Sequence, residues 1–234
     1  EDQMRAGDLL AASAASEHDF LEAARWYQQA ADQGYPPAQH ALGILLTKGQ
    51  GVQRDYLAAA DLFRKAADQG FAPAQYQLGL MYDEGLGGLQ DYREAARWYR
   101  AAADQGELRA QFNLAGMYYE GNGVAQNYQE AAKWYRRAAE LGDALAQNNL
   151  GVMYRKGLGV SRDYAEAVNW YRRAADQGDA WGQFNIGGMY GEGLGVPQDY
   201  AEAAKWYRRA AEQGDGEAQY NLGVMYYRGQ GVGK

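Results

Sequence analysis

The string W-Y-x-x-A-A-x-x-G recurs around Trp26, Trp98, Trp134, Trp170 and Trp206, with Leu62-Phe63 in the same slot, and every interval is a multiple of 36 residues. A second string, A-Q-x-x-L-G-x-M-Y-x-x-G-x-G-V, keeps the same period at Gln39, Gln75, Gln111, Gln147, Gln183 and Gln219, with a faint copy at Gln3 and Gly7. One phase therefore runs from residue 2 to the end. A unit this short buries its apolar face only against its neighbours, so such a chain grows by stacking. The frame divides it into a degenerate first repeat (1–34), five full repeats (35–70, 71–106, 107–142, 143–178 and 179–214) and a half repeat (215–234) of one solenoid.

Each repeat reads as two helices. In Tyr128, Ala131, Ala132, Tyr135, Ala138 and Ala139 the apolar residues fall at helical spacing and define the buried face of a second helix, B. Asp or Asn three residues ahead of Glu (Asp19/Glu22, Asp91/Glu94, Asn127/Glu130, Asp163/Glu166, Asp199/Glu202) predicts a capping box at its start. Gly34, Gly70, Gly106, Gly142, Gly178 and Gly214 predict left-handed closure at its end. The shorter helix A runs roughly from Ala110 to Glu120 in the third full repeat, with Leu114, Met117 and Tyr118 on its buried stripe. Mid-helix glycine at Gly43, Gly79, Gly151, Gly187 and Gly223 costs about 1 kcal/mol against alanine, and close approach of helix B is the expected compensation. The G-x-G-V loops permit a tight reversal between helices; the loop at Gly88, without its valine, is expected to be looser. The count is thirteen helices in an all-α fold.

Composition narrows the chemistry. A net charge of -7 and a pI near 5.0 exclude a nucleic-acid backbone or anionic membrane as main partner. There is no cysteine, and the two histidines, His18 and His40, have no metal-ligand spacing. Ser13, Ser16 and Ser161 lie in no nucleophile elbow, and the glycine loops match no phosphate-binding motif. No enzyme, catalytic residue, metal or cofactor is expected. Arg136/Arg137, Arg172/Arg173 and Arg208/Arg209 form a stripe on helix B that reads as a solvated face, with i,i+4 pairs from the first arginine to Glu140, Asp176 and Glu212. No segment is long and apolar enough to span a membrane, and the chain begins at Glu1, as an exported protein does once a leader is removed. A soluble protein, periplasmic or secreted, is expected.

These residues resemble the Sel-one-like repeat (SLR) family, an elongated relative of the tetratricopeptide repeat, over essentially the whole chain. The G-x-G-V loop distinguishes it from the shorter repeat, while the Ala-Ala pair and terminal glycine of helix B follow the family pattern. The resemblance implies a right-handed α-solenoid superhelix with helices A on the concave side and helices B on the convex side. It also implies an adaptor, scaffold or regulator that binds other proteins.

In a solenoid, positions that vary between repeats are free to bind. The slot before L-G holds Ala41, Gln77, Asn113, Asn149, Asn185 and Asn221; in the related tetratricopeptide fold this inward asparagine holds an extended peptide. One turn earlier lie Arg109, Leu145 and Trp181, and about two turns later Glu120 and Lys156. Arg109 with Asn113 resembles half of a carboxylate clamp, which Leu145 fails to complete one repeat on. Trp181 stands outside the W-Y motif, and Gly188 lies one turn beyond Asn185. An apolar pocket around Leu145, Trp181 and Gly188, flanked by Asn149 and Asn185, is the expected seat for a partner's hydrophobic side chain. The alternative is a receptor or enzyme-like site for a small molecule such as a cell-wall fragment. Asp2, Arg5 and Asp8 read as a polar cap, and the chain as a monomer that could also associate end to end.

Overall fold

The computed structural model describes residues 16–231, and the regular elements among them are all helical. Twelve α-helices alternate in the expected phase. The B-type helices are α1 (Glu17–Asp32), α3 (Tyr56–Asp68), α5 (Tyr92–Asp104), α7 (Tyr128–Glu140), α9 (Tyr164–Asp176) and α11 (Tyr200–Glu212). The A-type helices are α2 (Pro36–Lys48), α4 (Ala72–Glu84), α6 (Leu108–Glu120), α8 (Ala144–Lys156), α10 (Ala180–Glu192) and α12 (Gly216–Arg228). The segment expected to form a thirteenth helix and a polar cap at Asp2, Arg5 and Asp8 falls outside the described residues. The chain divides into two compact units, Glu1–Ala125 and Gln126–Lys234. Within each unit, consecutive helices pack as antiparallel hairpins.

The helix ends follow local chemistry, with one correction. Asp55, Asp91, Asn127, Asp163 and Asp199 each accept two backbone amides from the first turn of their helix. The capping box expected there is replaced by tertiary bonds. The backbone N–H of Asp55, Asp91, Asp163 and Asp199 donates to a carbonyl of the preceding helix A, which releases the glutamate three residues after Asp91, Asp163 and Asp199; after Asp55 that position is Ala58. Glu94, Glu130 and Glu202 pair instead with Arg97, Lys133 and Lys205. A full capping box does form at α1, but its cap is Ser16 with Asp19 as its third helical residue, one turn earlier than the Asp19/Glu22 pair. At the other end, Gly34, Gly70, Gly106, Gly142, Gly178 and Gly214 all have positive φ.

The glycines inside helix A are explained by what lies against them. A Cβ at Gly43 would sit 2.5 Å from the Phe63 ring, and at Gly79 and Gly151 it would sit 2.7 Å from Tyr99 and Tyr171. The aromatic residue of helix B thus lies flat on the bare backbone of its own repeat's helix A, and these rings are fully buried. The Ala-Ala pairs at the end of helix B, such as Ala66/Ala67 and Ala174/Ala175, are buried and face the following helix A, where a Cβ at Gly182 would sit 2.8 Å from that of Ala174. A buried polar thread ties the repeats together. Gln75 and Gln147 donate to Ala67 and Ala139 carbonyls of the previous helix B, while Gln105 and Gln177 donate to the Gln75 and Gln147 side-chain oxygens at 2.7 and 2.8 Å.

The second glycine of each G-x-G loop rests on the start of the preceding helix B. A Cβ at Gly159 would lie 2.0 Å from the Tyr128 carbonyl oxygen, and at Gly51 2.3 Å from the Leu21 nitrogen. The exceptional loop is a 3-10 turn, Leu86–Gly88, where the corresponding approach of Gly87 to Tyr56 relaxes to 3.2 Å. Val52 and Val196 pack their half-buried side chains against the cores.

Two glycines test the close-packing account. Gly43→Ala is expected to lower stability by about 1 kcal/mol, because overpacking at about 1–3 kcal/mol exceeds the gain in helix propensity. Gly223→Ala, where nothing lies within 4 Å of the added carbon, should raise it by about 0.5–1 kcal/mol. Urea unfolding followed by circular dichroism measures both, and equal stabilisation by the two substitutions contradicts the account.

His40 packs between the Phe63 and Phe71 rings at 5.8 and 5.6 Å, and burial lowers its pKa from 6.5 to about 4. The folded state disfavours the imidazolium, so this contribution is complete above about pH 6.5 and is lost as the pH falls towards about 4. The loss is on the order of 3 kcal/mol. His40→Phe, the residue type at Phe112 and Phe184, is expected to flatten the stability profile between these pH values.

Candidate functional site

Each unit carries residues marked out by the sequence frame, and the two sets differ in how they are occupied. In the first unit Arg109 hydrogen-bonds the Tyr76 hydroxyl, and Asn113 hydrogen-bonds the Tyr99 hydroxyl. Tyr99 in turn donates to Asp83 Oδ2 at 3.1 Å. Burial, followed by the nearby Asp83 carboxylate, pushes the Tyr99 pKa well up, so the hydroxyl keeps its proton for that bond. Glu120 accepts from Asn122 Nδ2 at 2.7 Å. Arg109 and Asn113 are thus held by internal tyrosines.

In the second unit the same frame positions are as exposed as in the first but carry different side chains. Leu145 and Trp181 are 49% and 55% exposed, while Trp98, Trp134, Trp170 and Trp206 are buried. Lys156 is exposed, and Asn149 and Gly188 are half-buried. A Cβ on Gly188 would touch only the Tyr207 hydroxyl, at 3.5 Å. Asn221 hydrogen-bonds Tyr207, repeating the Asn113–Tyr99 contact. Asn185 departs from this: its Nδ2 donates to Asn148 Oδ1 at 2.8 Å.

Asn148 was missed by sequence reasoning. Its column otherwise holds His40, Tyr76, Phe112, Phe184 and Tyr220, so one buried amide interrupts a row of rings. His40, Tyr76 and Phe184 each lie within 6 Å of the helix B aromatic of their own repeat. Behind Asn148 the matching residue, Tyr171, is fully buried with its hydroxyl unpartnered, and burial pushes its pKa up.

On helix B the arginine stripe is a solvated face, with Arg136 half-buried and the other five exposed, but its partners differ from those expected. Among the described residues, Arg136, Arg172 and Arg208 form no ion pair with Glu140, Asp176 and Glu212. They donate to Tyr154, Tyr190 and Tyr226 of the following helix A and lie over those of Tyr154 and Tyr190 as cations on rings. The second arginines, Arg137, Arg173 and Arg209, cover Trp134, Trp170 and Trp206 at 4.5–4.7 Å. The local i,i+4 partner loses because the next helix supplies an aromatic surface and a hydroxyl together. Shallow hollows of about 500 Å³ at Lys48–Arg54 with Glu17, and about 390 Å³ around Trp170, include none of the residues marked on helix A.

Seven successive segments, 3–35, 36–71, 72–107, 108–143, 144–179, 182–215 and 216–234, match the Sel1 repeat. The chain belongs to the Sel1 repeat family. A solved structure similar to this Sel1 repeat chain is c5321, a protective antigen of uropathogenic Escherichia coli displaying an SLR fold. It is 40% identical with a TM-score of 0.91, over 97% of this chain and 49% of that one. This chain therefore spans about half the length of that antigen. A Sel1 repeat protein from Oxalobacter formigenes is 35% identical with a TM-score of 0.88, over 100% of this chain and 92% of that one. A putative Sel1 repeat protein from Klebsiella pneumoniae, at 20% identity and a TM-score of 0.51, shares the fold. No protein of curated function matches by sequence. Sel1 repeat proteins are generally scaffolds for protein interaction, and their fold is typically non-enzymatic. No helix among the described residues is long and apolar enough to cross a membrane.

The contrast between Tyr99 and Tyr171 has a measurable consequence for this Sel1 repeat protein. Tyr99→Phe removes a hydroxyl that bonds Asp83 and Asn113 and is expected to cost about 1 kcal/mol. Tyr171→Phe removes one with no partner and is expected to leave the unfolding midpoint unchanged or slightly higher. Thermal melts of the two variants side by side decide it, and an equal loss in both contradicts the assignment.

Proposed function

We propose that this Sel1 repeat protein is a scaffold that binds a protein or peptide segment along the face of its A-type helices. In the second unit the proposed contacts are Leu145, Asn149, Lys156, Trp181, Asn185, Gly188 and Asn221, and in the first unit Arg109, Asn113 and Glu120. The observation that carries the reading is Trp181. It is a large aromatic side chain more than half exposed, in a protein whose repeated tryptophans are otherwise largely consumed by packing. Aromatic anchors of this kind dominate the energetics of protein interfaces. Leu145, exposed at the equivalent position one repeat earlier, extends the apolar strip, and the half-buried asparagines beside it offer both donors and acceptors to a peptide backbone. The acidic charge of the chain favours protein partners over nucleic acid.

The reading is tested by the double substitution Trp181→Ala with Asn185→Ala. Partners captured by the wild type from its native extract are identified by mass spectrometry and then titrated individually. The double variant is expected to weaken binding by 2 kcal/mol or more, about thirtyfold. Retention of every partner at wild-type affinity removes this face as the binding surface.

A further inference from the structure

The second unit contains a cation and a hydroxyl that both lack an acceptor. Arg155, in the last turn of α8, is half-buried and makes no ion pair or hydrogen bond among the described residues. Its positive charge acts on both the Tyr171 and Tyr207 hydroxyls, so its guanidinium lies near the two. The first unit shows what this arrangement is missing. There, the residue in the frame position of Arg155 is Asp83, and its carboxylate accepts the proton of Tyr99, the counterpart of Tyr171. Replacing that carboxylate by a guanidinium leaves donors only, since arginine has no acceptor. Asn185, whose counterpart Asn113 bonds Tyr99, is turned away to Asn148. The Tyr171 hydroxyl is therefore fully buried with no partner. On α10, an added carbon at Gly188 would meet only the Tyr207 hydroxyl, at 3.5 Å, and at Gly191 only Ala203, at 3.7 Å.

Building on the scaffold reading, we infer that Arg155 is the anchor for a carboxylate supplied by the bound peptide. That carboxylate occupies the space left by Gly188 and Gly191 and takes, against Tyr171, the role Asp83 plays against Tyr99. Because the Tyr171 hydroxyl is closed to solvent, Arg155 makes the first contact and the hydroxyl becomes the second donor as the side chains adjust. The local charge agrees. Among the described A-type helices, α8 alone has two basic residues in its last turn, Arg155 and Lys156, in a chain whose net charge is -7. The strip also sets a spacing. Leu145 and Arg155 are ten residues apart on one helix, about 15 Å at 1.5 Å per residue. An extended peptide covers that distance in about four or five residues. The ligand is thus a segment with an apolar side chain at one end and a carboxylate four or five residues away.

The probe is a pool of fluorescein-labelled decapeptides carrying one Leu or Phe and one Glu at separations of two to seven residues. Each is made with a free and with an amidated C-terminus and compared with its Glu→Gln counterpart by fluorescence anisotropy. Wild-type protein is expected to prefer acidic peptides with a separation of four or five. Arg155→Gln, which sits at a half-exposed site and should melt as wild type, is expected to weaken them about tenfold or more and to abolish the preference for Glu over Gln. Tyr171→Phe should weaken them a few-fold with no loss of stability, while Arg25→Gln in the first unit, an exposed residue of α1 paired with Glu22, should have no effect. The amidated set separates a side-chain carboxylate from a terminal one, and either result supports the assignment. If acidic peptides and their Gln counterparts bind alike, with binding that survives Arg155→Gln but is lost in the Trp181→Ala/Asn185→Ala double variant, the carboxylate site is overturned and the scaffold reading stands. If binding is indifferent to both, the two fail together.

Discussion

An aromatic ring lying on a glycine is the contact from which the rest of each repeat follows. Gly43, Gly79 and Gly151 let the rings of Phe63, Tyr99 and Tyr171 approach to a distance that any side chain would block. The Ala-Ala pairs at the end of helix B face the following helix A with equally small side chains, and the carbonyls of helix A come within reach of the amide that starts helix B. The G-x-G loop then has no room for a Cβ, because its second glycine rests on the backbone of the preceding helix B. A glycine that weakens helix A taken alone is thereby the condition for a dense interior, in which dispersion and burial outweigh the lost propensity.

Helices this close exclude water, so their polar atoms must satisfy one another. The glutamines do so as a relay, each donating to one carbonyl and accepting from a glutamine thirty residues on. The helix B tyrosines are served from the A-type helices, by Asn113 and Asp83 at Tyr99 and by Asn221 at Tyr207. The arginines close the outer side by covering tryptophan rings and bonding tyrosine hydroxyls. The recurring glutamines, tyrosines and arginines are thus claimed by structure, and in the asparagine column Asn113 and Asn221 also hold tyrosine hydroxyls.

Signals confined to one helix or turn were readable in the sequence: the phase, the left-handed glycines, the caps and the mid-helix glycine with its compensating neighbour. Signals that depended on what the next helix supplies were not. The capping box failed because a carbonyl from helix A reached the cap amide first. The Arg136–Glu140 type of pair failed because Tyr154 offered the guanidinium a ring and a hydroxyl together. Asn148 was legible as the break in a column of rings, but its meaning required knowing that the column faces Tyr171. The same applies to Arg155, an unremarkable last-turn cation until Asp83 is seen bound to Tyr99.

These departures occur where a repeat architecture can bear them. In a stack held by nearest-neighbour contacts, an unsatisfied hydroxyl costs about 1–3 kcal/mol and weakens one interface without propagating through the array. In a single shared core the same defect would count against the whole fold. The uniform columns therefore carry stability and the broken ones are free to carry recognition. In the second unit several breaks fall together: Asn148 for a ring, Arg155 for a carboxylate, Gly188 and Gly191 for larger side chains, and Trp181 exposed on the same helix as those glycines. A partner that supplies the missing acceptor at Arg155 and an apolar group at Trp181 restores the pairing that the uniform repeats make internally. Part of its binding energy is then the stability that these substitutions removed from the unliganded protein.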